Sequence, residues 1–163
     1  GLGELLEAWR SVKRQFATAH LAIAGSGELE SQVRRMALDT TSGVLFLGDR
    51  GDVDILFRCA DVAVLPSRNE SFGCTFVEAM ASGTPVILGK TGIASRLPIH
   101  QAAGWILDRV NPDEIARRII DMFSGPGRRQ DFAERAPDLV RRFGFEQVAR
   151  QYLSLYEEML SHD

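Results

Sequence analysis

Five short apolar runs, spaced by segments with helical periodicity, constrain the fold of this chain more than any other feature. The runs "AHLAIAG" (19–25), "VLFLG" (44–48), "DVAVLP" (61–66), "PVIL" (85–88) and "GWIL" (104–107) read as buried strands. Between them, 26–39, 52–60 and 74–82 carry helix-forming residues, with glutamates in the first turn of 26–39. Strands alternating with helices imply a parallel sheet covered by helices on both faces, so the class is α/β, doubly wound. Right-handed crossovers place every strand's carboxyl end on one edge, and ligands bind along that edge.

The ends of the chain add helices to this core. Leu2, Leu5, Leu6, Trp9, Val12 and Phe16 recur at helical spacing, so an amphipathic helix starts almost at the first residue. Such a helix ordinarily follows a strand, and the expectation is that the chain begins one strand late, as a piece of a longer protein. After Asn111, "NPDEIARRIIDMF" has an Asn cap and Pro at the first helical position, and further helices are expected near 127–141 and 145–160. In the last of these, Phe145, Val148, Tyr152, Leu155, Tyr156 and Met159 form a stripe expected to pack on the domain or on a missing half.

Composition narrows the function classes. With 163 residues, 45% of them hydrophobic, the chain can bury one substantial core, and residues 1–163 read as a single domain. A net charge of −3 gives no basic footprint for nucleic acid, and the arginine pairs at 34–35, 117–118, 128–129 and 141–142 are expected on solvated helix faces. Cys59 and Cys74 do not make a disulfide framework or a zinc site, which fits a reducing compartment and a cytoplasmic protein. His20, His100 and His162 are isolated, so no metal site is expected. No apolar run reaches the roughly 18 residues of a membrane span.

Three loops fall at the expected ligand edge. Gly25 and Gly27 in "AGSGELES" are half of a dinucleotide fingerprint, and equally serve as glycines of a tight turn. Arg50 and Asp52 in "LGDRGD" sit where a turn can read the edge of a flat ring, and Asp52 is equally placed to cap the next helix. The third, "PSRNESFGCTFVEAM", is the most informative. If a helix begins near Gly73 or Cys74, its amide groups offer a phosphate site, with Gly73 allowing close approach. Glu70 then lies in the loop and Glu78 a turn inside the helix, flanking that site; within one helix they would be about 12 Å apart and turned by roughly 80°. Carboxylates in those places accept bonds from hydroxyls, which suits a ligand with diols at both ends and phosphate between, such as a nucleotide sugar. The plainer reading of each stays open: Glu70 complements a helix dipole and Glu78 is a solvated helix residue.

"DVAVLPSRNESFGCTFVEAMASGTPVI" resembles the signature of the family 4 retaining glycosyltransferases, enzymes of the GT-B fold with two Rossmann-like halves around the active site. The similarity is to the C-terminal half, covers nearly the whole chain, and extends to "LAIAGSGELE", "VLFLGD" and "ADVAVLP". It implies a Rossmann-like donor domain with extra C-terminal helices that takes a nucleoside diphosphate sugar, needs no metal or cofactor, and works only with an N-terminal acceptor domain. By position, Glu70 matches the glutamate beside the transferred sugar and Glu78 the one on the ribose. Backbone at Phe72, Gly73, Cys74 and Thr75 matches the sugar and diphosphate contacts, Arg50 and Asp52 the turn at the base, and Gly25 with Gly27 the loop before it.

The chain departs from the family where a Gly-Gly pair and an acid are usual: "GKTGIASRLP" has Ile93 after Gly92 and Arg96 near the acid's place. The family's diphosphate-binding Arg and Lys lie before the first helix, upstream of Gly1. The expectation is therefore a donor-binding half that transfers nothing alone. Two alternatives stay open: a nucleotide-sugar epimerase of the same architecture, and a non-catalytic nucleotide-binding or interaction module. Base, sugar and acceptor are unassigned, and so is any peripheral attachment of the whole protein to a membrane.

Overall fold

The computed structural model describes residues 1–40, 43–100 and 102–161; His162 lies outside them. Helix α1 (Leu2–Gln15) leads to β1 (Leu21–Ala24), α2 (Glu30–Thr40), β2 (Val44–Gly48), α3 (Val53–Cys59), β3 (Ala63–Leu65), α4 (Cys74–Ala81), β4 (Val86–Gly89) and β5 (Gly104–Leu107). Helices α5 (Pro112–Ser124), α6 (Pro126–Val140) and α7 (Phe145–Leu160) follow. Every strand pairing is parallel, as the alternation requires.

The sheet differs from expectation in two respects. Its strands fall into two sheets, β1-β2 and β3-β4-β5, and no described strand joins β1 to β3. Cover on both faces is complete for β4, buried at all four residues, and nearly so for β5, whereas Ala22, Ala24 and Leu45 on the first sheet are exposed. Helix α1 ties the sheets together. Its Leu5, Ala8, Trp9 and Val12 pack in a cluster with Ile87, Trp105 and Leu107, against which Leu21, Val44 and Val64 also lie. Leu6 closes a second cluster with Val33 and Ala37 over β1 and β2. Burying such side chains contributes roughly 1.5–3 kcal/mol each, which fixes α1 across both sheets.

The Gly-Thr-Pro run is structural. Gly83, at φ +77°, ends α4 in the left-handed conformation, with Gly83 N–H donating to Met80 O and Thr84 N–H to Ala79 O. Buried Thr84 donates its hydroxyl to Phe57 O at 2.6 Å, and the Pro85 carbonyl accepts from Ala63 N–H, so one tripeptide docks α3 and starts the β3-β4 ladder.

Asn111 caps α5 as expected, its Oδ1 accepting from Glu114 N–H at 2.9 Å, while the Glu114 carboxylate accepts from Asp108 and Arg109 N–H. Asn111→Ala is expected to cost about 1 kcal/mol, read as a lower urea midpoint at constant slope. Two other expectations are corrected. Helix α2 starts at Glu30 rather than Ser26, after a turn in which Glu30 N–H donates to Gly27 O. Arg118 is only 15% exposed and stacks over Trp105 at 5.4 Å, whereas Arg34 is solvated and pairs with Glu30. The side chain of Arg128 lies outside the described residues. Helix α7 fully buries none of its residues; Val148 is half-buried, but Phe145, Tyr152, Leu155, Tyr156 and Met159 are exposed, so most of the stripe does not pack on this domain. Among the described residues no helix is long and apolar enough to cross a membrane.

Candidate functional site

The carboxyl ends of β3 and β4 pair in register, Leu65 opposite Leu88, so the chain segments that follow them face each other. Gly89 makes the approach close: a Cβ there would lie 1.9 Å from the Ser67 carbonyl oxygen. Gly92, at φ +54°, sits against the Phe72 carbonyl in the same way, and Ile93 N–H donates to Phe72 O at 3.1 Å. The two loops are strapped together by backbone, without long side chains.

Helix α4 opens between them. Gly73 is its N-cap at φ +95°, a conformation costly for any residue with a Cβ. Amides of the first helical residues, Cys74 and Thr75, have no partner inside the helix and point toward the strands' carboxyl edge. A small open cavity of about 50 Å³ lies beside this terminus, lined by Ser67, Glu70, Gly73, Thr75, Gly89 and Thr91 among others. Glu70 is oriented there, its Oε1 accepting from the Ser67 hydroxyl at 2.9 Å. Glu78 is an exposed residue one turn inside α4, outside the cavity. The expected placement of the two glutamates, one in the loop and one in the helix, therefore holds. Ser67, Gly89 and Thr91 were not singled out from sequence; their signal was the polar pair of segments following adjacent strands.

Phe72 and Cys74 are exposed at the rim rather than in the cavity. Phe72 meets Phe143 edge to face at 5.4 Å, so the turn before α7 braces the loop. Arg68 turns away from the cavity to pair with Glu4 of α1 and to donate to Val110 O at 3.3 Å. Bonds from its own backbone and from Arg68 hold the Glu4 carboxyl below the usual carboxylate range.

The remaining candidates form a second group at the ends of β1 and β2. The Ser26 hydroxyl donates to Asp49 Oδ2 at 2.7 Å, which ties the Gly25–Gly27 turn to the loop after β2. Gly25, at φ +111°, is required by its backbone, but Gly27 is not in that region. Arg50 binds Asp52 through both carboxylate oxygens, at 2.8 and 2.7 Å. This bond lowers the Asp52 carboxyl below its ordinary range and raises Arg50. Asp52 occupies the N-cap position of α3 yet makes no side-chain cap bond; its carbonyl accepts from Ile55 and Leu56 N–H while its carboxylate holds Arg50. Neither Arg50 nor Asp52, Gly25 nor Gly27 lines the cavity.

The cavity is too small for a whole nucleotide sugar, since sites for such ligands enclose roughly 300–1,000 Å³. It suits one anionic or hydroxylated portion, with the rest along the open edge. A wider depression at the opposite edge holds Arg58 and Arg129, but those are paired with Asp54 and Asp61. Cys59 and Cys74 are both free thiols, and among the described residues no group of three or more His, Cys, Asp or Glu is arranged to hold a metal ion.

Comparison with known proteins gives this geometry a context. The family described as "Glycosyl transferases group 1" matches residues 1–139. An uncharacterized glycosyltransferase of Methanocaldococcus jannaschii is 33% identical over 145 residues, 85% of this chain and 37% of that protein. The GDP-mannose-dependent monoacylated alpha-(1-6)-phosphatidylinositol monomannoside mannosyltransferase of Corynebacterium glutamicum is 32% identical over 138 residues, 79% of this chain and 36% of its own length. Among solved structures, Anabaena HepE in complex with UDP and glucose superposes with a TM-score of 0.80 at 26% identity, covering 94% of this chain and 43% of that one. The chain thus spans between 24% and 42% of the length of these and similar curated relatives.

Proposed function

The chain belongs to the glycosyl transferases group 1 family and has the α/β fold of GT-B glycosyltransferases, and from this we propose that it is the donor-binding half of a retaining, metal-independent transferase. The observation that carries the reading is the placement of the two glutamates near the α4 terminus: Glu70 lines the cavity, and Glu78 is exposed one turn into the helix, outside it. In this reading the donor's diphosphate meets the Cys74 and Thr75 amides, where the helix dipole favours negative charge. Glu78 accepts from the ribose diol, and Glu70, held by Ser67, orients the sugar hydroxyls. The bond from the sugar's anomeric carbon to phosphate breaks as a bond to the acceptor oxygen forms on the same face. The acceptor's proton passes to the departing diphosphate. Glu70 thus positions and polarises the sugar and never attacks it.

Two arginines of the candidate loops are engaged within the domain. Arg68 is committed to Glu4, and Arg50 to Asp52. Charge developing on the leaving group meets the helix amides, with Lys90 exposed between the cavity residues Gly89 and Thr91, and further cations and an acceptor-binding domain from the rest of the protein complete the site, in a cytoplasmic enzyme. The relatives' names point to both guanine and uracil donors, so the base is left to measurement.

Donor hydrolysis, with water as acceptor, tests the proposal. A longer protein carrying this domain should release sugar from a UDP- or GDP-sugar first as the retained anomer, read by proton NMR, and equally in EDTA; residues 1–163 alone should release none. Turnover by residues 1–163 alone, an inverted product, or loss of activity in EDTA would each contradict it.

A further inference from the structure

The cations on the loops of the candidate site are not all engaged. Arg50 and Arg68 are held by Asp52 and Glu4, whereas Lys90 is exposed and, among the described residues, makes no ion pair and no side-chain hydrogen bond. Nothing in its own segment neutralises it, since the chain has no acid between Glu78 and Asp108. An ammonium group has donors to give and no acceptor of its own, so Lys90 carries unspent positive charge.

The backbone that carries Lys90 is fixed. Thr91 N–H donates to Gly89 O at 2.9 Å, a three-residue turn with Lys90 at its centre. Before the turn, Gly89 lies against the Ser67 carbonyl; after it, a Cβ on Gly92 would come within 2.6 Å of the Phe72 carbonyl oxygen and 3.4 Å of Glu70 Cβ. The Ser95 hydroxyl donates to Gly92 O at 3.0 Å and closes the tight helical turn Gly92–Arg96 that follows. Gly89 and Thr91, on either side of Lys90, both line the cavity that contains Glu70 and borders Gly73 and Thr75 of α4. Lys90 is thus presented at the edge of that cavity by a turn that cannot shift without moving the Glu70 loop. Arg96, on the same loop, is equally exposed and unpaired among the described residues, but its neighbours Ser95 and Leu97 do not line the cavity.

We propose that Lys90 is a catalytic residue that binds the sugar-side phosphate of the donor together with the α4 amides. The inference rests on the donor-site reading above, in which that phosphate lies between the amides of Cys74 and Thr75 and the sugar oriented by Glu70. A compact ammonium charge suits phosphate oxygen, and the carboxylate and hydroxyls lining the cavity already serve the sugar. When the bond from the anomeric carbon to the phosphate oxygen breaks, the electron pair stays on that oxygen. Lys90 keeps its proton and donates a hydrogen bond to the oxygen as its charge grows, while the acceptor's proton passes to the diphosphate.

Titration and donor hydrolysis on a longer protein carrying this domain test the proposal. Lys90→Gln is expected to weaken binding of whichever of UDP, GDP and ADP is preferred by about tenfold, while the matching monophosphate stays within about twofold. The kcat for hydrolysis of the matching nucleotide sugar should fall roughly 100-fold, with Tm unchanged because the side chain is exposed. Lys90→Arg should restore most of both. Arg96→Gln removes the same charge from the same loop and should change neither by more than about twofold. If Lys90→Gln keeps the preference for diphosphate and its kcat, the inference is overturned and the donor site stands. Equal losses in Arg96→Gln would also overturn it, by making the effect one of net charge. So would a loss confined to donors whose sugar bears a carboxylate, which would assign Lys90 to the sugar. Equal affinity of the unaltered protein for diphosphate and monophosphate would overturn the donor-site reading as well.

Discussion

Glu78→Ala is expected to weaken binding of a nucleoside diphosphate by about 10- to 100-fold while leaving the affinity for inorganic pyrophosphate unchanged, because a charged acceptor bonded to two hydroxyls contributes roughly 1.5–3 kcal/mol. The selectivity of the loss is what matters. Glu78 is exposed on α4 and outside the cavity beside the helix terminus, so its removal leaves the amides of Cys74 and Thr75 in place. A phosphate-only ligand sees the same site; a ligand with a ribose loses its diol partner. If both ligands weaken equally, the variant has disturbed the helix terminus. If neither changes, Glu78 is the solvated helix residue that its composition alone would suggest.

Gly89→Ala is expected to lower stability by about 3 kcal/mol or more, about 10 °C in Tm, and to abolish diphosphate binding at concentrations that saturate the native domain. The added methyl group would sit 1.9 Å from Ser67 O and 2.9 Å from Ser67 C, both backbone atoms, so relief requires moving the strand or the loop. Moving the loop takes Ser67 from Glu70 and shifts the Phe72 carbonyl off Ile93 N–H. Gly127→Ala in α6 is the matched control: nothing lies within 4 Å of its Cβ, and alanine there favours the helix by up to about 1 kcal/mol. Loss of binding together with an unchanged Tm in Gly89→Ala would show that the loop moves while the strand stays.

What could be read from the sequence was local. The caps of α4 and α5 follow from residues within one turn of them, and their positions match. The five strands and their parallel sense followed from apolar runs separated by helices. What escaped depends on partners distant in sequence. Helix α2 starts late because Ser26 is drawn to Asp49, 23 residues away, which holds the Gly25–Gly27 turn out of the helix. Arg118 resembles any solvated arginine until Trp105 is brought beneath it. The cavity residues Ser67, Gly89 and Thr91 become neighbours only through the Leu65–Leu88 register. Asp52 is the exception: it sits where a cap was expected, but a bidentate bond to Arg50, only two residues away, takes its carboxylate. The division into two sheets escaped because apolar runs give the strands and not which of their edges pair.

The central claim, that the α4 terminus with its two glutamates is a nucleotide-sugar donor site, is tested most directly by calorimetric titration at low salt. UDP, GDP and ADP would each be compared with their monophosphates, on residues 1–163 and on a longer chain that supplies the preceding segment. The account predicts saturable binding of one diphosphate at least about tenfold tighter than its monophosphate, a difference of roughly 1.4 kcal/mol or more, and tighter in the longer chain. Equal affinity for diphosphate and monophosphate, or no binding by the longer chain, would contradict it.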